Sequence, residues 1–317
     1  MTEIIDGKLV YNELTKNSNG GTELMARRMV ETIPQELLKG KQIIHSRVRE
    51  LIPDLKKVLI VHDLATDPEV ANLADPSYRN QFEKIFFVSH WQQNAYNMVL
   101  GVPFSQSWVI QNGIEVDYNP IEKSMDGPIR MIYHTTPHRG LELLVPAFEE
   151  ASKHFDIHLD VFSSFNAYGW GDRDQAFQEV FDRLNSLKNV TNHGFQPNSI
   201  VREKLKETHL FAYPCIWPET SCIALIEAMC FGNMSIHSSL GALPETSLAA
   251  SSMYMYHEDI NEHVNMFFRC LMSGLETLTQ HREKVFSLNE YRRQYVCSQY
   301  DWDNNVKQKW MLALRAI

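Results

Sequence analysis

The sequence predicts an α/β fold in two domains, each built on a parallel sheet, and three observations carry that expectation. The chain has 317 residues, 44% of them hydrophobic, which is enough for two domains with a core each. Continuous apolar runs of strand length, such as VLIV at 58–61, IFFV at 85–88 and LFAY at 210–213, are followed by polar loops and stretches with helical spacing. Unbroken runs of this kind suit strands covered on both faces. From Asn119-Pro120 to Gly127-Pro128 the chain is polar and broken by two prolines and a glycine, which marks a boundary. The expected domains are 1–120 and 121–300.

In the first domain, Asn19, Gly20, Gly21, Thr22 and Glu23 precede a helical stretch from Leu24 to Leu38, with Leu24, Met29, Ile33 and Leu37 as its apolar face. Paired glycines ahead of a helix let backbone come close to a ligand. The run at 58–61 ends in His62-Asp63. Residues at the carboxyl ends of parallel strands line the ligand crevice of open α/β sheets, so His62 is a candidate site residue. A strand at 85–89, a helix from His90 to Leu100 and a strand ending in the turn Asn112-Gly113-Ile114-Glu115 complete the domain.

The second domain opens with a strand at 130–133, the loop His134-Thr135-Thr136-Pro137-His138-Arg139-Gly140 and a helix to about Lys153. A strand at 157–162 ends at Ser163 and Ser164, and an aromatic, glycine-containing insertion follows at 167–174. The chain is organised around residues 210–245. An apolar strand at 210–213 leads to a proline-rich loop and then to a predicted helix from Thr220 to Phe231, with Ile223, Ile226 and Met229 or Cys230 on one face. Thr220 or Ser221 is expected to cap that helix. The amides beside the cap would then favour an anion, because unpaired N–H groups and the positive end of the helix dipole coincide there. Glu219 stands just before the helix and Glu227 is expected two turns inside it, on the order of 12 Å further along.

With a second strand at 233–237 and the turn Gly241-Ala242-Leu243-Pro244-Glu245 behind it, this run resembles the donor-binding signature of retaining glycosyltransferases of family 4. The stretches FVSHWQ and VIQNGIE are similar to the end of that family's N-terminal domain. The resemblance covers the chain from Asn19 to about Leu314. It implies the GT-B fold: two Rossmann-like domains whose parallel sheets face each other across a cleft, the first on the acceptor side and the second binding the donor. A C-terminal helix at 301–317, beginning at Asp301-Trp302, would pack back on the first domain.

The same resemblance assigns roles. Glu219 would meet the transferred sugar, the amides of Thr220, Ser221 and Cys222 would hold the diphosphate, and Glu227 would bind the ribose hydroxyls. Gly20 and Gly21 would lie against the diphosphate, His62 near the sugar and acceptor, and Ser163 near the base or phosphates. Many relatives carry two basic residues on the diphosphate. Arg139 matches the second, whereas His134, Thr135 and Thr136 occupy the region of the first, leaving hydroxyls or amides such as those of Thr135 as substitutes.

The implied reaction moves a sugar from a nucleoside diphosphate sugar to a glycan, lipid or other hydroxyl acceptor with retention of configuration. The resemblance implies that no cofactor or catalytic metal is needed, and no convincing acidic or histidine cluster stands in the sequence to hold one. The catalytic candidates are Glu219, His62 and Arg139. A sugar-nucleotide epimerase or hydrolase, or a non-catalytic sugar-nucleotide-binding protein on the same fold, is the alternative.

The net charge of −9 argues against nucleic acid as partner, since phosphate backbones are bound by clustered lysine and arginine. The five cysteines form no paired motif and read as buried thiols rather than disulfides or metal ligands. No apolar run reaches the ~18 residues of a membrane span, although peripheral membrane contact stays open. Charges stand where a secretory leader would need an apolar core, which predicts a cytoplasmic protein.

Overall fold

The computed structural model describes residues 2–11, 18 and 20–317. The chain forms two compact units, one of residues 1–115 with 299–317 and one of residues 116–298.

The sheet of the first unit has six strands: β1 (Thr2–Ile5), β2 (Lys8–Tyr11), β3 (Lys41–His45), β4 (Lys56–Val61), β5 (Lys84–Phe87) and β6 (Ser107–Val109). Their order is β2-β1-β3-β4-β5-β6. From β3 to β6 all pairings are parallel, while β1 runs antiparallel to both β2 and β3. The β1–β2 hairpin, which the expected fold lacked, turns at Asp6-Gly7, a residue pair well suited to a two-residue hairpin loop. Leu59, Val61, Ile85, Phe87 and Tyr96 are among the residues that close the core.

The expected helix 24–38 is two helices, Gly21–Thr32 and Gln35–Leu38. Pro34 is the reason. The residue before a proline is driven out of the helical region, and Ile33 accordingly sits at φ −83°, ψ 134°. Met29 and Ile33 are buried as expected, with Met25 and Ala26 completing the face, whereas Leu24 and Leu37 are only half-buried. At the other end of the chain, Trp302, Val306, Trp310 and Leu314 are all buried. Trp302 Nε1 donates to Thr32 Oγ1 at 2.8 Å, and the Trp310 ring packs on Phe86 at 4.8 Å between centroids. Residues 302–315 thereby complete the first unit's own core.

The second unit holds β7 (Ile129–Tyr133), β8 (Ile157–Val161), β9 (Val190–Asn192), β10 (Leu210–Tyr213), β11 (Met234–Ser238) and β12 (Ser252–Tyr254). They form one parallel sheet in the order β12-β11-β10-β7-β8-β9. The chain winds outward from β7 to β9, returns to the other side of β7 as β10, and winds outward again. The order therefore reverses between β7 and β10, and a doubly wound sheet binds ligands outside the carboxyl ends of its strands at such a switch point. Each of the two units is Rossmann-like in its parallel strands.

Where the chain enters the second unit, Arg293 donates to the carbonyls of Asp117 at 2.8 Å and Asn119 at 3.1 Å. Lys123 Nζ donates to Leu205 O at 2.6 Å. Burial, with help from the Arg293 charge, pushes the Lys123 ammonium down to about 7. The folded pKa lies below the unfolded one, so the unfolded chain binds the extra proton between about pH 7 and the ordinary lysine range. Stability at this site must rise with pH across that window. Lys123→Met is expected to flatten the pH dependence of Tm between pH 7 and 10, and an unchanged slope in thermal unfolding would show that the ammonium is not desolvated.

Candidate functional site

The loops after β7 and β10 are pressed together at the switch point. Gly140 has φ 115°, and a Cβ built on it would lie 2.2 Å from Pro214 O, so only glycine lets the β7 loop approach the β10 loop this closely. Between them lies a buried polar cluster. The Glu219 carboxylate, 4% exposed, accepts from the Tyr213 hydroxyl at 2.5 Å and forms a salt bridge with Arg139, both through Oε1. Desolvation works against the Arg139 charge, but Glu219 together with Tyr168, Tyr213 and Cys222 outweighs it and holds the guanidinium well above its ordinary value. Burial pushes the Tyr213 phenol and the Cys222 thiol well up, with the Glu219 charge adding to each. The cluster is thus one carboxylate and one guanidinium among neutral groups.

The helix after this loop corrects the expectation of a start at Thr220. It spans Ile223–Cys230, its N-cap is Cys222, and no side chain caps it. Thr220 and Ser221 lie in the loop, and Glu227 sits about one turn into the helix rather than two. The physical reason is a tertiary contact. Ala242 N donates to Glu219 O at 2.7 Å, and the Gly241 backbone (φ 63°) lies so close that a Cβ there would be 2.7 Å from Glu219 N. That turn packs against the backbone of residue 219, and the helix begins only after Cys222, which is itself in extended backbone at φ −97°, ψ 94°.

The strand ends around the cluster carry buried polar atoms with no hydrogen-bond partner among the described residues, including Thr135 Oγ1, Thr136 Oγ1, His138 Nδ1, Arg139 Nε and Ser163 Oγ. Buried polar atoms are normally paired, and orphans gathered at one edge of a sheet mark a place built for something else to occupy. The Thr135 hydroxyl is buried in the same loop, beside Tyr133. His134, in the region of the unmatched basic residue, donates from Nε2 to Ala224 O at 3.1 Å. Burial lowers it to about 4, so it brings no charge to the site. Glu227, 5% exposed, accepts from Asn198 Nδ2 at 3.1 Å on both oxygens. The expected residues of the second unit therefore fall into two groups on shared elements: Arg139, Thr135, Ser163 and Glu219 with residues 220–222 on the strand-end loops, and Glu227 on the helix behind.

Gly20, Gly21 and His62 belong to the first unit. Gly20 is the N-cap of the helix Gly21–Thr32, in extended backbone, and Gly21 is the first helical residue. Asn19 lies outside the described residues. His62 follows β4 directly, and its Nε2 is 3.4 Å from Nδ1 of His45, the last residue of β3. Burial lowers His62 to about 4. Sequence reasoning missed Tyr213, His45 and Asn198. The first two stand at strand ends, where the rule that singled out His62 applies equally.

Among the described residues, no group of three or more His, Cys, Asp or Glu could hold a metal ion, and no helix is long and apolar enough to cross a membrane.

Residues 122–267 match the family model of glycosyl transferases group 1. No curated protein matches the chain. Among solved structures, a glycosyltransferase from Rickettsia africae is similar over 96% of this chain and 83% of its own, with TM-score 0.69 and 14% identity. Anabaena HepE in complex with UDP and glucose covers 96% of this chain and 85% of its own at TM-score 0.64 and 15% identity. Sucrose-phosphate synthase from Thermosynechococcus elongatus covers 92% and 79% at TM-score 0.64 and 15% identity. The fold is GT-B, and the matched segment contains the cluster at the switch point.

Proposed function

We propose that the chain is a retaining, metal-independent glycosyltransferase of family 4, which passes a sugar from a nucleoside diphosphate sugar to a hydroxyl of a glycan, lipid or other acceptor. The observation that carries this reading is the Arg139–Glu219 pair among orphaned polar atoms at the switch point of a group 1 glycosyltransferase segment. Anabaena HepE, similar in fold, is solved with UDP-glucose, which supports a nucleotide sugar as the ligand class.

In this reading the bond between the anomeric carbon and the diphosphate oxygen breaks, and the acceptor oxygen bonds to the same face of that carbon. The acceptor's proton goes to the leaving diphosphate. Negative charge gathers on the diphosphate while the anomeric carbon turns positive. Arg139, the amides of 220–222 and the hydroxyls of Thr136 and Ser163 meet the first charge with dipoles already in place. Glu219 orients the sugar hydroxyls and supports the second. It does not serve as nucleophile: a retaining glycosidase sets two carboxylates across the scissile bond, whereas Glu227 is held by Asn198 on the helix behind and is assigned to the ribose. Residues 116–298 form the donor domain and the first unit the acceptor domain, with His62 acting on the acceptor.

The ligand class is tested by thermal shift with UDP, GDP, ADP, CMP and dTDP and their common sugar conjugates. A ligand at 100 times its dissociation constant adds ~2.7 kcal/mol of stability. One nucleotide family should raise Tm in the wild type and lose that effect in Glu227→Ala. An equal response from the variant would remove Glu227 from the ribose, and no response from the wild type to any nucleotide would overturn the donor reading.

A further inference from the structure

Beside the Arg139–Glu219 pair, three loops distant in sequence bring their aromatic rings together. His138 stacks on Phe165 with ring centroids 5.1 Å apart and planes 15° apart, and meets Trp217 edge-on at 5.0 Å. The segment that carries Phe165 is firmly built. Asp174 accepts from the Ser164 hydroxyl and from Phe165 N, the latter at 2.8 Å, and Ser164 Oγ in turn accepts from Asn166 N at 2.9 Å. The Arg173 guanidinium lies over the Trp170 ring at 4.3 Å, and Trp170 packs against Tyr168 at 5.4 Å. Tyr168 is close enough to Arg139 to strengthen its charge.

Two features of the cluster point to a ligand. Trp217, against His138, keeps 41% of its surface exposed and Trp170, against Arg173, 40%. His138 Nδ1 is buried without a partner. A buried N–H with no acceptor is costly, so the single proton of the neutral ring belongs on Nε2, which makes no hydrogen bond among the described residues. Burial, with Arg139 and Arg173 nearby, lowers His138 to about 4. At neutral pH it therefore offers an uncharged N–H, suited to a hydroxyl oxygen, while Arg139 next to it carries the charge suited to a phosphate.

We propose that Trp217, His138 and the segment 164–174 form the sugar subsite of the donor site. The apolar face of a neutral sugar ring packs against the aromatic wall while His138 Nε2–H donates to one of its hydroxyls. The position follows from the chain: Trp217 precedes Glu219 by two residues, and His138 precedes Arg139 by one. The sugar is thereby read by rings held in place by stacking, beside the loop that carries Glu219. The inference rests on the donor reading above and adds the group that distinguishes a sugar nucleotide from the nucleotide alone.

The test measures, by calorimetry on the full chain, the affinities for a nucleoside diphosphate and for its sugar conjugate, using whichever pair of UDP with UDP-glucose, GDP with GDP-mannose or ADP with ADP-glucose binds the wild type. Trp217→Ala is expected to weaken the conjugate about tenfold, the scale of one lost aromatic contact, and to leave the diphosphate within about twofold. Trp217→Phe should restore most of the loss, and His138→Gln should raise KM for the conjugate. Equal losses for both ligands in Trp217→Ala would reduce the wall to a structural role, and an unchanged conjugate affinity would overturn the proposal while leaving the donor reading intact. A wild type that binds no diphosphate and no conjugate would overturn the donor reading and the subsite with it.

Discussion

Glu219→Gln is expected to lower turnover by about 100- to 1,000-fold, the usual scale for removing one prearranged transition-state contact, while binding of the nucleoside diphosphate survives. Glutamine keeps the shape of the side chain, and its oxygen can still accept from Tyr213. What is lost is the negative charge that the proposed mechanism sets against the anomeric carbon, together with the salt bridge to Arg139. Glu219→Ala removes the shape as well, which leaves Arg139 without its partner at the end of a buried loop. Losing one member of a buried pair costs about 3–5 kcal/mol, so the alanine variant should also lose thermal stability. Steady-state kinetics on the glutamine variant separates chemistry from folding. Turnover equal to the wild type in a variant with normal Tm would remove Glu219 from the reacting sugar.

Arg139→Met should have the second largest effect, and on two quantities at once. The Glu219 carboxylate would keep only the Tyr213 hydroxyl, and the variant is expected to be less stable by about 3 kcal/mol. The diphosphate would also lose its one matched basic residue, so nucleotide affinity should fall by about tenfold or more, the scale of a charge-assisted hydrogen bond. The two effects are separable in Arg139→Met with Glu219→Gln. With both charges gone the stability loss should shrink, because two neutral groups replace a broken pair, whereas the affinity loss should persist. A double-mutant cycle by chemical denaturation and by calorimetry reads the two terms independently. Strictly additive stability losses would show that the two side chains are not coupled in solution.

Most of the strands were legible because buried parallel strands leave unbroken apolar runs, as at 58–61, 85–88 and 210–213. The hairpin at the N-terminus carried an equally plain signal in Asp6-Gly7 between alternating residues, a pattern that charged Lys8 and Glu3 obscure. Pro34 could have broken the first helix on the page, but the longer periodic run dominated the reading. The late start of the helix at Ile223 was not legible at all, since it depends on Gly241 and Ala242 holding the backbone of Glu219 from outside the segment.

The same distinction applies to the site. Glu219 and Arg139 could be singled out by their loops, yet their contact joins residues 80 apart and becomes visible only when β7 and β10 lie side by side. His138, Phe165 and Trp217 come from three separate loops, and no local pattern brings their rings together. Tyr213 is different. It ends an apolar run directly before the proline-rich loop, so strand-end reasoning was available, but as a member of the run it reads as core.

The central claim, a sugar transferred with retention from a nucleotide donor under the guidance of Glu219, is tested most directly by proton NMR of the first product. The chain would be incubated with the sugar nucleotide that stabilises it and a panel of simple glycoside acceptors, and the anomeric signal of the new linkage recorded before equilibration. The account predicts the donor's own anomeric configuration in the product, one nucleoside diphosphate released for each linkage formed, and a strongly reduced signal with Glu219→Gln. A product of inverted configuration, or an undiminished signal from the variant, would contradict it.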